Sequence, residues 1–475
     1  MSRETSFFKK IDWITISIYL LLVCIGWFNI FASIYDAESG QFSDIFDLSQ
    51  RYGMQLMWIG GAIIIAILCL CLQSKFYPVL AWPLYIVSVL SLIAVLVVGV
   101  EVNGSTSWLD IGGFRLQPAE FSKIACSLAL ARLMSEPHFR LRQPSNMLFS
   151  LAIICIPPIF IILEHETGLA LVYTAFLIVL YREGMSGWIL ILGLCAVSLF
   201  LLTILWEAVS VFMLIALVCA LVYGLVSRRW IHLLFAALFL VPTYIYLPDY
   251  VHKLGWVFLA PEIWFLLLTV PLIVLAFFYA LRSRIYTIML VLCCFFLAIG
   301  GAYSVDYVFD EVLREHQRAR IQTLLGVTED LQGAGYNVHQ SKVAIGSGGL
   351  SGKGFLQGTQ TKYNFVPEQT TDFIFCTIGE EWGFLGASIL IVLYLALFYR
   401  IILIAERHKD NFVRVYGYCV ASCLFFHFFI NIGMTIGLVP VIGIPLPFIS
   451  YGGSSLWAFT ILLFILLKLD FNRWN

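Results

Sequence analysis

Runs of about twenty apolar residues recur from one end of this 475-residue chain to the other. A helix needs about 20 apolar residues to cross the hydrocarbon core of a bilayer, where its backbone polar groups must be paired internally. Apolar residues make up 61% of the chain and charged residues 12%, against roughly 45–50% and about 25% in soluble domains. The pattern therefore predicts an all-α, polytopic membrane protein and excludes a soluble enzyme. The net charge of −1 argues against a nucleic-acid partner.

We predict about fourteen transmembrane spans, and we interpret the first as a retained helix because no signal-peptide cleavage site follows it. The predicted ranges are 12–34, 54–73, 78–100, 118–134, 147–163, 167–182, 187–205, 208–226, 229–247, 262–281, 286–304, 372–400, 411–438 and 449–469.

Lysine and arginine predict the orientation, because cytoplasmic loops carry an excess of both. With a cytoplasmic N-terminus, most basic residues fall in inner segments, and the short outer loops hold only Arg51, Arg115 and Lys253. We therefore expect both termini in the cytoplasm and the long polar segment 305–371 outside. Residues 186–304 are mostly apolar and offer no candidate site.

All twelve cysteines fall within apolar spans, and none forms a CxxC pair. Small buried hydrophobic side chains are the simplest interpretation. We expect neither disulfides nor a structural zinc site.

The outer segment contains two candidate features. Asp330 precedes a glycine-punctuated turn, where a carboxylate could act as a general base or simply be a solvated turn residue. The glycine-rich run 346–354, with Lys353, is one residue short of a phosphate-binding P-loop. Its backbone N–H groups could still hold a pyrophosphate, or its glycines could serve tight packing.

Further ionisable groups lie within or beside predicted spans, where charge is costly. Asp372 precedes Glu380 and Glu381 by a little over two helical turns. Glu120 and Lys123 are three residues apart and can pair on one helix face, although Lys123 could instead bind an anionic lipid head group.

A proline- and glycine-rich stretch, 431–455, interrupts the last apolar region. Non-helical backbone at membrane depth is tolerated only inside protein or beside a wet cavity, so we predict a re-entrant loop beneath the outer segment. His427 is expected to be a core residue. Glu164 and Glu166 flank a histidine in an outer turn, but this spacing does not favour a metal site.

Four motifs together resemble the SEDS family, the RodA/FtsW proteins of the bacterial cell wall. They are Gln117-Pro-Ala-Glu-Phe-Ser-Lys123, the 330–354 segment, Val366-Pro-Glu-Gln-Thr-Thr-Asp-Phe-Ile-Phe375 with Gly379-Glu-Glu, and Gly443-Ile-Pro-Leu-Pro-Phe-Ile-Ser-Tyr-Gly-Gly-Ser-Ser455. The resemblance covers about 1–185 and 300–475. Gly352-Lys-Gly with Gly358-Thr-Gln360 is more similar to the RodA elongation branch than to the FtsW division branch.

The resemblance divides the chain into four parts. Residues 1–185 and 372–475 form the two halves of a membrane core of about ten spans, the second half with the re-entrant segment. Residues 186–304 add about four extra helices, and 305–371 form the large extracytoplasmic loop.

Two motifs depart from the family pattern. Serine and threonine replace the usual basic residues just before Trp108, so the sequence gives no support for a phosphate or partner contact there. The usual Gln-Pro-Asp-Leu-Gly motif keeps only its acid and glycine, at Glu166 and Gly168.

The resemblance implies a peptidoglycan glycosyltransferase of the bacterial inner membrane, polymerising lipid II, an undecaprenyl-pyrophosphate-linked disaccharide pentapeptide. It implies Asp330 as the catalytic residue, a class B penicillin-binding protein as partner, and contact with membrane lipids. A divalent cation, Mg²⁺ or Mn²⁺, is compatible with the chemistry, although no ligand cluster identifies one. The candidate substrate-binding residues are Glu120, Lys123, Lys353, Gln340, Ser341, Glu368, Thr370, Asp372, Glu380 and Ser450.

Two other functions use the same features. A lipid II flippase would need a similar cavity but no chemistry at Asp330. A non-catalytic scaffold of a cell-wall synthase would need neither the cavity nor the chemistry. The polar residues are concentrated at the outer surface. This favours polymerisation over transport, because a carrier should also place polar groups near the inner leaflet.

Overall fold

The computed structural model of the protein describes residues 11–35, 46–102, 105–112, 114–206, 208–227, 286–307, 315–325, 335–363 and 365–471, with the isolated positions 267, 309, 311 and 313. In chain order the elements are α1 (Trp13–Ile34), α2 (Arg51–Cys71), α3 (Phe76–Val98), β1 (Val100–Val102), β2 (Ser105–Ile111), β3 (Phe114–Leu116), α4 (Pro118–Met134), α5 (Pro144–Leu163), α6 (Thr167–Val172), a 3₁₀ turn (Tyr173–Ala175), α7 (Phe176–Arg182), α8 (Gly187–Leu205), α9 (Ala208–Ser227), α10 (Tyr286–Tyr307), α11 (Glu315–Leu324), α12 (Tyr336–Ser347), α13 (Thr359–Lys362), α14 (Ile374–Glu406), α15 (Asn411–Thr435) and α16 (Gly453–Phe471).

Eight of the described helices are long and apolar enough to cross a membrane: α1, α2, α3, α5, α8, α14, α15 and α16. Shorter apolar helical stretches cover Thr167–Arg182, Ser210–Gly224 and Leu292–Val305. The protein is therefore a helical, multi-pass membrane protein. The predicted spans 229–247 and 262–281 lie outside the described residues, so the number of fourteen stays a prediction.

The chain divides into two compact units, Met1–Ser186 with Glu329–Asn475, and Gly187–Thr328. In the first unit, α3 packs against α4, α14 against α15, and α2 against α16. Helices α15 and α16 are the most enclosed of the long spans, with 72% of their apolar windows buried, against 22% for α2. Polar side chains on the enclosed helices are therefore shielded from lipid, and this is where the candidate site lies.

A small antiparallel sheet, which the sequence analysis did not predict, follows α3. Strand β2 is its centre and pairs with β1 and with β3. Its strands are only three to seven residues long, too short for a periodic pattern to stand out between two long spans. The sheet returns the chain to Pro118, whose fixed φ suits the first turn of α4.

The second unit is built from apolar helix packing. Its described core joins α9 to α10 through six buried residues: Val211, Phe212, Ile215, Phe295, Ile299 and Ala302. Helix α8 packs against α10 through residues such as Leu199, but none of its residues is fully buried.

The predicted outer segment 305–371 contains helical structure. Helix α11 belongs to the second unit, whereas α12 and α13 belong to the first. Asp330 lies outside the described residues, so its surroundings stay a prediction.

Candidate functional site

The centre of the site is the non-helical stretch between α15 and α16, residues 436–452, here called the Pro/Gly segment. Three of its carbonyl groups accept hydrogen bonds from side chains on the neighbouring helices: Asn431 Nδ2 to Ile444 O (2.7 Å), His427 Nδ1 to Pro445 O (3.3 Å) and Tyr394 Oη to Pro447 O. Unpaired backbone carbonyls inside a membrane protein cost several kcal/mol each, so these donors allow the helix to stay broken at this depth.

The same segment is tied to the end of the 335–372 region. Two hydrogen bonds join them, Tyr451 N to Thr370 O (2.9 Å) and Ser450 Oγ to Thr371 O (2.5 Å). Asn431 of α15, which also bonds Ile444 O, donates to Asp372 O at 2.8 Å. Ser450 is buried and also accepts a hydrogen bond from Leu446 N at 2.8 Å. The structure thus brings together the two motifs that contain Thr370, Asp372 and Ser450.

Lys123 and Glu120 form a buried ion pair on α4, with Nζ 2.6 Å from Glu120 Oε2 and both side chains 2% exposed. The amine also donates to His427 Nε2 at 2.9 Å and lies 4.8 Å from the ring centre of Phe459. Because His427 Nδ1 donates to the carbonyl of Pro445, its Nε2 carries the lone pair that accepts from Lys123. His427 is buried, as expected of a core residue, but it also links the ion pair to the Pro/Gly segment.

Glu380 is surrounded by hydrogen-bond donors from the 353–361 stretch. Lys353 Nζ donates to Oε1 at 2.7 Å. The other donors are Thr359 N (2.8 Å), Thr359 Oγ1 (3.2 Å), Gln360 N (2.9 Å), Thr361 N (3.1 Å) and Thr361 Oγ1 (3.0 Å). The carboxylate therefore lies at the N-terminus of α13, where negative charge is favourable. Its neighbour Glu381 is buried, and its carboxylate has no hydrogen-bond partner among the described residues.

The glycine-rich run 346–354 packs against the kink of α14. Lys353 N donates to Glu380 O and Gly354 N to Glu381 O, both at 3.0 Å. At the kink, Gly383 has φ +63°, and a Cβ there would lie 2.3 Å from Gly352 N. These backbone N–H groups are used within the fold and are not free for a pyrophosphate, so tight packing is the interpretation that the geometry supports.

The remaining candidate residues differ in how accessible they are. Ser341 is buried and donates to Thr435 O at 2.9 Å, while Gln340 beside it is half-buried. Glu368 is exposed, and its carboxylate accepts from Thr371 Oγ1 at 3.1 Å. Asp372 is half-buried, with Oδ2 close to the backbone of Gly443.

Arg51 contacts the site but was not among the predicted site residues. Its Nη1 donates to Thr370 Oγ1 at 2.6 Å, and its guanidinium lies 5.9 Å from the ring centre of Tyr451. The sequence signal was present, because Arg51 is a basic residue in a predicted outer loop, where arginine is uncommon.

A group of acids and hydroxyls lies where β2 meets the turn after α5. Ser105 Oγ and Ser107 Oγ donate to Glu166 Oε1 at 2.7 and 2.8 Å, and Thr106 N donates to Glu164 O at 3.2 Å. The two segments that depart from the family motifs, the one before Trp108 and the 164–168 turn, are therefore in direct contact. No group of three or more His, Cys, Asp or Glu side chains in the described ranges could hold a metal ion.

Glu164 gives a pH-dependent prediction. It is fully buried without a hydrogen-bond partner for its carboxylate in the part described. Burial, with a smaller effect of the charge on Glu166, raises its pKa to about 8 from 4.5. The folded state then keeps a proton that the unfolded state loses, so this residue's contribution to stability falls as pH rises from 4.5 to about 8.

We therefore expect Glu164→Gln to raise the Tm relative to the natural chain, by an amount that increases over that pH range. Thermal unfolding in detergent at pH 5, 6.5 and 8 measures the difference. Glu166→Gln, whose carboxylate is hydrogen-bonded, is the matched control. A Tm difference that stays constant with pH would show that Glu164 does not titrate there.

Comparison with known proteins agrees with this architecture. A family model named FTSW_RODA_SPOVE and described as "Cell cycle protein" matches residues 12–221 and 209–474. The chain is 29% identical to the peptidoglycan glycosyltransferase RodA of Treponema pallidum, over 95% of this chain and 97% of that protein. It is 30% identical to the peptidoglycan glycosyltransferase MrdB of Escherichia coli K12, over 92% and 88%.

Solved structures share the fold at lower identity. One, described as "Structural coordination of polymerization and crosslinking by a peptidoglycan synthase complex", has a TM-score of 0.62 at 22% identity and covers 98% of this chain and 99% of its own. The rod shape determining protein RodA of Thermus thermophilus has a TM-score of 0.55 at 21% identity, with 98% of both chains covered. The resemblance carried by the four sequence motifs is confirmed. The chain belongs to the FtsW/RodA/SpoVE family, the SEDS proteins.

Proposed function

We propose that this protein is a peptidoglycan glycosyltransferase that polymerises lipid II into glycan strands. The observation that carries the proposal is the near full-length similarity to two proteins named for this activity, one at 29% and one at 30% identity. The polar motifs shared with that family are held around one broken helix in the first unit. This arrangement fits a reaction on a lipid-linked substrate at the membrane surface.

In the proposed reaction, a sugar hydroxyl attacks an anomeric carbon that carries a pyrophosphate leaving group. Asp330 is our candidate for the general base that accepts the hydroxyl proton. A cation beside the pyrophosphate would stabilise the charge of the leaving group. The bilayer confines both lipid-linked substrates to two dimensions, which favours their encounter and orientation.

The candidate substrate-binding residues fall into two groups by accessibility. Glu368, Asp372, Gln340 and Lys353 are exposed or half-buried, and we propose that they face the substrate. Six others are buried within hydrogen-bonded contacts: Glu120, Lys123, Ser341, Thr370, Glu380 and Ser450. We propose that these six act through the shape of the site, because each is both buried and paired within the fold.

The RodA-like spacing of Gly352-Lys-Gly and Gly358-Thr-Gln360 supports a role in cell elongation and shape maintenance. We further propose an inner-membrane location with both termini in the cytoplasm and 305–371 outside, since the basic residues are distributed that way. The four-part division at 185, 304 and 371 and the total of about fourteen spans belong to the same proposal.

Purified protein incubated with lipid II in nanodiscs tests the function. We expect a ladder of glycan strands on a gel, which does not form when lipid II is omitted. Transfer of lipid II across the bilayer without any polymer would instead favour the flippase. The absence of both polymerisation and transfer would favour the scaffold.

A class B penicillin-binding protein is the proposed partner, because a polymer without cross-links makes no wall and the chain lacks a transpeptidase motif set. The solved structure described as a peptidoglycan synthase complex couples polymerization with crosslinking. We expect the two proteins to co-purify and glycan synthesis to increase when the partner is added. Full activity of the protein alone, with no complex detected in nanodiscs, would contradict activation by a partner.

A further inference from the structure

Arg51 is held at the end of α2 that faces the Pro/Gly segment. Residues 51, 55 and 58 share one face of α2, since they are four and three positions apart. Gln55 Oε1 accepts from Gly452 N at 3.3 Å, and the ring of Trp58 lies against Gly453. Arg51 lies one turn closer to the start of α2 than Gln55, and its exposed side chain contacts Thr370.

The guanidinium is positioned by neutral groups. Thr370 Oγ1 accepts from Nη1 at 2.6 Å, and the Tyr451 ring lies beside the guanidinium carbon at 5.9 Å. Thr370 is itself fixed by Tyr451 N, which donates to its carbonyl at 2.9 Å. Because Nη1 is the guanidinium nitrogen that bonds Thr370 and the side chain is exposed, its other N–H groups have no hydrogen-bond partner among the described residues.

Four other arginines of the first unit form ion pairs with carboxylates. Their pairs within 4.0 Å are Arg182 with Glu406, Arg400 with Asp12, Arg407 with Asp470, and Arg414 with Glu183. In the described ranges, no such ion pair includes Arg51. Among the carboxylates that the structure describes, none compensates its positive charge, although Arg51 contacts Thr370 and Tyr451 of the family motifs.

We propose that Arg51 binds the pyrophosphate of the lipid-linked substrate, with Thr370 and Tyr451 holding the guanidinium in place. This rests on the proposed function. A planar guanidinium binds phosphate oxygens through paired N–H donors, which a lysine amine cannot reproduce. Its exposed side chain at the first residue of α2 leaves the guanidinium accessible to such a group.

Binding of undecaprenyl pyrophosphate to the purified full chain in detergent tests the proposal. Arg51→Gln removes the charge but keeps a donor for Thr370, and we expect it to weaken binding by about tenfold or more, as loss of a charge-assisted hydrogen bond does. Arg51→Lys should bind at an intermediate level. Arg142→Gln removes an exposed arginine far along the chain and should bind as the natural chain does.

Three results would overturn the proposal. These are unchanged binding by Arg51→Gln, a lower Tm as its only effect, or equal losses for undecaprenyl pyrophosphate and for phosphatidylglycerol vesicles. Arg51→Lys, which keeps the charge, provides a second variant if Arg51→Gln does not fold. Pyrophosphate binding that depends on Arg51, in a protein that forms no glycan, would support this site while rejecting the proposed function. Glycan synthesis with an unchanged KM in Arg51→Gln would reject the site alone.

Discussion

Replacement of Asp330 by alanine or asparagine is expected to lower the rate of glycan synthesis by about 10²–10⁴, the usual cost of losing a general base. The reason is the family match of the 330–336 run, in which an acid precedes Gly333 and Gly335. Lipid II binding should change much less than the rate, since the carboxylate is proposed to act on the hydroxyl proton. Single-turnover polymerisation of labelled lipid II measures the effect.

Glu329 is the matched control, because it carries a carboxylate next to Asp330 but does not occupy the position of the family's functional aspartate. Glu329→Gln should polymerise at nearly the natural rate. Near-normal glycan synthesis by Asp330→Ala would remove this residue from the mechanism. Equal losses in the two variants would point to a general effect of charge in this segment.

Lys123→Met is expected to destabilise the protein by about 3–5 kcal/mol, because breaking a buried ion pair leaves an uncompensated charge. The stranded group would be Glu120, which is 2% exposed. His427 Nε2 would lose its donor at the same time. Thermal unfolding in detergent should show the loss as a clearly lower Tm.

The double variant Lys123→Met with Glu120→Gln separates two roles for this pair. We expect it to recover most of the stability, since no unpaired charge remains. If polymerisation recovers as well, Lys123 acts only as a structural partner of Glu120. If stability recovers but polymerisation does not, Lys123 contributes to substrate binding, which a double-mutant cycle would quantify. A single Lys123→Met variant as stable as the natural chain would contradict the buried pair.

Local patterns in the sequence were enough to establish the class and family of this protein. The length of the apolar runs predicted helices such as Trp13–Ile34 and Gly187–Leu205 closely, because span length is set by bilayer thickness. The spacing of Glu120 and Lys123 predicted their pairing, since residues three apart share a helix face. Prolines predicted that the helix would stop, and α15 does end at Thr435.

Other features depend on contacts between residues far apart in the chain. Lys123 meets His427 across 304 positions, and Arg51 meets Thr370 across 319. Neither pair has a local spacing that a sequence pattern could reveal. The short β-sheet was missed for a related reason, because its strands are stabilised by pairing with one another and show no long period of their own.

The glycine-rich run 346–354 shows what the sequence can predict and what requires the tertiary structure. Its composition predicted either a phosphate cradle or close packing, because glycine permits both. The choice depended on where the backbone N–H groups point, and Lys353 N and Gly354 N donate to the carbonyls of α14. The sequence by itself determined that this protein is a helical membrane protein with SEDS motifs. Only the tertiary structure decided which polar groups are buried and paired inside the fold and which, like Arg51, are exposed, because burial and hydrogen-bond partners are set by three-dimensional proximity.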